Sequence, residues 1–384
     1  MIYFDNAATT WQKPEEVYQR VNDVLRNKSG NPSRGSHQIS LDASRVIFKV
    51  RKKLADFFNI EDSSQLAFTK NATESSNLIF KGFLNAGDHV IISSLEHNAI
   101  TRPLHRLEEE GVIDLTVVDT EQGSAEFLTG IKEAITPQTK LVALTHASNV
   151  TGNILPVAEV GDLLADKDTA LLVDAAQTAG VVPIDIEQLK VDFLVFTGHK
   201  ALFGPQGVGG FYFNDDFDLE PLLEGGTGGS SKEKLNPDLY PDKYESGTLN
   251  TAGIAGLGAG IDFINQTNLT QIREHEMRLL EELTAGLQQI PAIEVLTSQI
   301  SGERVGVTSF RVQGIDAVTV GQLLDSEYQI AVRTGLHCSP LAHQSIGSYE
   351  TGTVRVSFSY FNTLAEVEEF LDALEEIIDF QLDK

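Results

Sequence analysis

The chain has 384 residues, 41% of them hydrophobic and 22% charged, and a formal net charge of −26. That charge repels nucleic acid and anionic membrane surfaces, and an anionic ligand would need a local concentration of positive groups. The single cysteine, Cys338, excludes an intramolecular disulfide framework and fits a reducing cytoplasm, and no run reaches the roughly 18 apolar residues of a membrane span.

The N-terminal "MIYFDNAATTWQKP" lacks the basic and apolar regions of a signal peptide. From about residue 65, β-rich runs alternate with helical segments. The runs are "QLAFT" (65–69), "DHVIIS" (88–93), "IDLTVVD" (113–119), "TKLVALTH" (139–146), "ALLVDAA" (170–176), "DFLVFTGH" (192–199) and "VGGFYF" (208–213). Helix-like segments between them include "ESSNLIFKGFL", "RPLHRLEEEG" and "PVAEVGDLLADKD". Nearly continuous apolar strands separated by helices predict an α/β fold, a mostly parallel sheet sandwiched by helices. The glycine-rich "LEGGTGGSSKEK" (223–234) reads as a loop. Beyond it, helical segments and the strands "GVTSFRV" (306–312) and "GTVRVSFS" (352–359) predict a smaller α+β C-terminal domain. The expected division is a large domain over 21–254 and a small one over 255–384, with residues 1–20 packing on the small one.

Strand ends carry the chemistry. In open α/β sheets, ligands bind outside the carboxyl ends of strands. Lys200 in "VFTGHK" lies at such an end, and a lysine against an apolar wall loses its proton readily. Asp174 in "VDAAQ" ends the preceding strand, with Gln177 beyond it. A lysine facing a carboxylate suits pyridoxal phosphate, which needs one for a Schiff base and the other at its pyridinium nitrogen. In "FTKNATESSN" a strand turns into a helix start, where the Ala72 amide and Thr73 could hold a phosphate. His97 in "LEHNA" could stack on a ring or move protons, and Asn149 in "HASNVTG" could orient a substrate or the cofactor's ring hydroxyl. Each has an ordinary alternative: a surface lysine, a helix cap, a structural histidine. No metal is expected. "RTGLHCSP" leaves Cys338 either a buried thiol or a reactive one, with Arg333 and His337 beside it.

Taken together, "YFDNAATT", "NATESSN", "LEHNA", "HASNVTG", "VDAAQ", "TGHK", "YESGTLNTAGIAGL" and "RTGLHC" resemble the class V aminotransferases, pyridoxal phosphate enzymes of fold type I. Within them the chain is similar to the cysteine desulfurases, in the compact-loop branch that also resembles selenocysteine lyase. The resemblance implies Lys200 as the Schiff-base lysine and base, Asp174 at the ring nitrogen, Gln177 at the phenolic oxygen and His97 stacked on the ring. It implies a phosphate held by Ala72, Thr73, Thr197 and His199, and by Thr248 of a neighbouring subunit in a homodimer. Arg355, Asn149 and Arg333 would bind substrate, and Arg34 and His37 would approach the site. Cys338 would be the nucleophile that carries sulfur from L-cysteine or L-selenocysteine towards a protein acceptor. Leu336 departs from the histidine common in that branch. The alternatives are a selenocysteine lyase, or a class V aminotransferase-like enzyme that does not use Cys338 as nucleophile.

Overall fold

The computed structural model describes residues 1–32, 37–229, 232–298, 300 and 302–382. Arg34 lies outside them. In chain order the first part comprises β1 (Ile2–Tyr3), α1 (Glu15–Asn27), α2 (Gln38–Phe58), β2 (Leu66–Thr69), α3 (Ala72–Phe83), β3 (Asp88–Ser93), α4 (Asn98–Glu109), β4 (Ile113–Val118), α5 (Ser124–Ala134), β5 (Thr139–Thr145), α6 (Val157–Leu164), β6 (Ala170–Asp174), β7 (Phe193–Thr197) and β8 (Gly209–Phe213). The second comprises α7 (Thr251–Thr267), α8 (Leu269–Gln289), β9 (Ile293–Leu296), β10 (Val307–Val312), α9 (Ala317–Tyr328), β11 (Ile330–Ala331), β12 (Arg333–Gly335), α10 (Pro340–Ser345), β13 (Thr353–Ser357) and α11 (Leu364–Leu382).

The large sheet has seven strands in the order β2-β8-β7-β6-β5-β3-β4. The five strands from β7 to β4 are mutually parallel, while β8 runs antiparallel to both β7 and β2. Successive side chains of a strand face opposite sides, and here both sides are apolar. On β5, β6 and β7, Val142, Leu144, Leu171, Val173, Leu194 and Phe196 enter one core. Their neighbours Leu141, Ala143, Ala170, Leu172, Phe193 and Val195 enter the core on the other face. Helices therefore cover both faces. The exposed features left to this sheet are its strand ends, and the carboxyl ends of β3, β5, β6 and β7 fall on one edge.

The second sheet has the order β12-β13-β10-β9, antiparallel throughout. Phe310, Val312, Val354 and Val356 pack under α8, α9 and α11. The alternate residues Ser309, Arg355 and Arg333 pair across the sheet and share its other face. That face meets the first sheet: Ser309 Oγ donates to the Val150 carbonyl at 2.7 Å. The N-terminus closes onto this unit through β1, which pairs with β11. Helix α7 lies beyond residue 250, yet its Ile254, Leu257, Ile261 and Ile264 pack into the larger core.

Candidate active site

A cavity of about 200 Å³ sits on the edge where the parallel strands end. Ala72, Thr73, His97, Asn149, Asp174, Gln177, Thr197, His199, Lys200, Arg333 and Arg355 all line it. Eleven expected residues thus meet at one place, although they come from as far apart as Ala72 and Arg355.

At one end lies the start of α3. The side chain of Asn71, not of Thr73, caps this helix, accepting from the Glu74 amide at 2.9 Å. Asparagine is the better cap, and this leaves the Ala72 and Thr73 amides and the Thr73 hydroxyl at the cavity wall, suited to an anion. Thr197 Oγ1 is buried there without a hydrogen-bond partner. Buried polar atoms are rarely left so, and this one points to a ligand group. His199 Nδ1 pairs with the Thr9 hydroxyl at 3.1 Å, and burial holds its pKa down at about 4.

In the middle, Asp174 is buried and accepts from the Ala176 amide at 2.9 Å. Burial raises its pKa, against that hydrogen bond and the Lys200 charge. Burial also lowers Lys200 to about 8, the Asp174 charge opposing. A positive group bound beside Asp174 would restore its anion. His97 caps α4, its Nδ1 accepting from the Ala99 amide at 3.0 Å, so the ring proton belongs on Nε2. Burial, then the Lys200, Arg333, Arg355 and Arg102 charges, depress its pKa to about 3, and the ring is neutral.

At the far end, Arg333 and Arg355 stand directly opposite each other on neighbouring strands. Like charges so placed repel. Asp5 offsets this: Arg355 Nη2 donates to its Oδ1 at 2.7 Å, and Nη1 donates to the Asn149 carbonyl at 3.0 Å. Arg355 Nε is buried and unpartnered.

Cys338 does not line this cavity. It sits at the rim, exposed, in the loop between β12 and α10. His337 and Cys338 both adopt left-handed backbone, with φ of 50° and 59°. Residues with a Cβ resist that conformation, and hydrogen bonds help to hold it. Asn149 Nδ2 donates to the His337 carbonyl at 2.7 Å, and Ser339 Oγ donates to Asn149 Oδ1 at 2.6 Å. The Asn98 amide at the start of α4 donates to the Cys338 carbonyl at 2.8 Å. Arg333 Nη2 lies 3.5 Å from Cys338 Sγ, the position of a charge-assisted partner for a thiolate.

Two expected residues lie apart. Thr248 lines a separate cavity with Phe68, Thr69 and Lys70. His37 caps α2 and donates no side chain to the cavity, its Nδ1 accepting from the Ser40 amide. Asp5 and Ala7 lie within "YFDNAATT" and Glu96 within "LEHNA", motifs that assign them no role. The Ala7 carbonyl accepts from the Gln177 side-chain Nε2 at 3.2 Å. Glu96 is fully buried, accepts from Ser93 Oγ and the Thr145 amide, and clips the ends of β3 and β5 together. Its position between "SSL" and His97 was the available signal.

An anion subsite, a carboxylate, a perturbed lysine and a guanidinium around one cavity suit a phosphorylated pyridine aldehyde that Lys200 would hold and from which an amino acid would displace it. The Aminotransferase class-V family model matches residues 2–370. The chain belongs to that family. Within it the chain stands among the cysteine desulfurases. It is 36% identical to a probable cysteine desulfurase of Methanothermobacter thermautotrophicus, over 98% of this chain and 94% of the relative. It is 34% identical to a cysteine desulfurase of Serratia proteamaculans, over 98% and 93%. The apo cysteine desulfurase of Thermococcus onnurineus NA1 superposes with a TM-score of 0.91 at 34% identity, covering 99% of this chain and 95% of that one.

Proposed function

We propose that the chain converts L-cysteine to L-alanine and leaves the sulfur as a persulfide on Cys338, with pyridoxal phosphate held in the cavity. The observation that carries this is the placing of an exposed thiol, fixed by Asn149 and faced by Arg333, at the rim of the cavity that gathers Lys200, Asp174 and Arg355.

The Ala72 and Thr73 amides, with the Thr73 and Thr197 hydroxyls and His199, hold the phosphate. Asp174 would keep the ring nitrogen protonated, Gln177 would serve the phenolic oxygen and neutral His97 would cover the ring. When bound, the cofactor supplies an electron sink for the pair released at the substrate's Cα. Lys200, once freed from the cofactor, is a buried amine poised near neutrality and takes the Cα proton. Arg355 binds the substrate carboxylate, its unpartnered Nε adding to the groups available. Cys338 attacks the substrate sulfur as thiolate. The carbon–sulfur bond breaks, its pair stays on Cβ and is protonated there, and the sulfur bonds to Cys338. Cysteine plus the Cys338 thiol gives alanine plus the Cys338 persulfide, so atoms and electrons balance.

The test is incubation of the holoenzyme with L-cysteine, reading alanine and the mass of the Cys338 peptide. Stoichiometric alanine with one added sulfur on Cys338 supports the reading; alanine with Cys338 unmodified and free sulfide released overturns it.

A homodimer completes the proposal. Helix α2 exposes Ile39, Leu41 and Phe48, and the segment after β8 exposes Leu223, Leu235 and Leu239. Apolar side chains in such number suit an interface, and Thr248, apart from its own cavity, would serve the partner's phosphate. Sedimentation of an active monomer would refute it. No helix among the described residues is long and apolar enough to cross a membrane. A working free thiol suits a reducing compartment, and we assign the chain to the cytoplasm.

A further inference from the structure

A second, open depression of about 560 Å³ leads away from Cys338 over the outer surface of α3 and α4. Its walls follow from helical spacing. Thr73, Asn77 and Lys81 lie four apart on α3, and Asn98, Arg102 and Arg106 lie four apart on α4, so each set forms one face. Cys338 stands at one end, where the Asn98 amide holds its carbonyl.

The charge of this groove runs against that of the chain. The whole molecule carries −26, yet the groove presents Lys81, Arg102 and Arg106 against Glu110 alone. Arg106 and Glu110 pair with each other at 2.6 Å. Lys81 and Arg102 are exposed and take part in no ion pair among the described residues. Size decides the kind of occupant. Helix α4 has 12 residues, or about 18 Å at ~1.5 Å each. That length matches about five residues of extended chain at ~3.3 Å each, far more than a free amino acid or a small thiol would fill.

We propose that this groove receives an extended acidic segment of the protein that accepts sulfur from Cys338, the segment's own cysteine lying at the Cys338 end. The proposal rests on the function proposed above. The acceptor thiolate attacks the outer sulfur of the Cys338 persulfide. The sulfur–sulfur bond to Cys338 breaks, a new one forms on the acceptor, and Cys338 leaves as thiolate and takes up the proton the acceptor lost. No oxidant or reductant is needed. Lys81 and Arg102 steer the segment to this position, so charge acts chiefly on the rate of encounter.

The experiment uses holoenzyme loaded with persulfide by L-cysteine and then desalted. The probes are a short peptide with a cysteine followed by a run of glutamates, and the same peptide with glutamines. Sulfur gained by each peptide is followed by mass. The glutamate peptide is expected to accept sulfur at least about tenfold faster at low salt, the advantage shrinking as the screening length falls to ~8 Å near 0.15 M. Lys81→Glu combined with Arg102→Glu should reverse the preference while leaving alanine production with dithiothreitol as acceptor unchanged. Equal rates for the two peptides, a preference that survives the double substitution, or no transfer to either peptide while dithiothreitol discharges Cys338, would overturn the proposal. Absence of persulfide before any peptide is added would instead remove the function on which it rests.

Discussion

The cavity around Lys200 and the loop around Cys338 are partners in the proposed reaction but are built by different means. The cavity is made by the large sheet: β3, β5, β6 and β7 end together, and burial against both cores sets the chemistry of Asp174 and Lys200. The loop belongs to the smaller sheet, exposes Cys338 between the buried His337 and Ser339, and owes its shape to hydrogen bonds from Asn149 and Asn98 against an unfavourable backbone. Burial is shared among many residues and is hard to undo singly. A loop held by a few bonds is open to single substitutions. The contrast predicts that reaction at Cα and transfer of sulfur can be separated.

The largest expected effect is at the cavity. Lys200→Ala should lower alanine formation by at least about 10⁴-fold, because transimination and Cα proton removal both lose their amine. Far-UV circular dichroism should be unchanged. Measurable turnover near the parent's would break the comparison at its first term. Next, Cys338→Ala should lower desulfuration of L-cysteine at least about a hundredfold, or roughly 2.8 kcal/mol in the barrier. It should keep the visible absorbance of bound cofactor, and retain some activity on selenocysteine, whose selenium leaves more easily. If cysteine is processed as before, the loop has no share in the chemistry. Alanine assays with both substrates decide this.

Asn149→Ala sharpens the contrast, since it removes the ties to His337 and Ser339 while sparing Lys200 and Asp174. Two hydrogen bonds at about 1 kcal/mol each translate into a ten- to thirtyfold loss in sulfur transfer. Elimination of chloride from β-chloroalanine, which needs no thiol, should hold within about threefold. Equal losses on both substrates would mean that Asn149 serves the cavity, the role sequence reasoning gave it. The smallest effect is on pH. With Lys200 lowered to about 8, its amine is largely protonated at pH 7 and largely free at pH 9. Capture of pyridoxal phosphate by the apoprotein should therefore quicken about fivefold from pH 7 to pH 8 and level off above pH 9. A rate still climbing at pH 10 would show a lysine at its ordinary value.

The strands of the large sheet were legible because a strand buried on both faces reads as an unbroken apolar run, as in "ALLVD" and "FLVFT". The short strands β9, β11 and β12 were not, because they are only partly buried and lack such a run. Lys200, Asp174 and His97 were legible since each follows an apolar run or a turn. The attachment of Asn149 to residues 188 and 190 positions away was not, for a side-chain amide shows no partner in its own neighbourhood. The same holds for Asp5, whose role depends on Arg355 at the other end of the chain.

That pairing has a consequence in time. Asp5 and Arg355 are 350 positions apart. At synthesis rates of about 5–20 residues per second, the N-terminal segment waits roughly 20 to 70 s for its partner. Lys200 and Asp174 lie on strands completed well before that, while Cys338 and Arg355 arrive among the last elements. The pocket can take its final arrangement only after the thiol has emerged, so a nascent chain carries the lysine without the arginine proposed to bind its substrate.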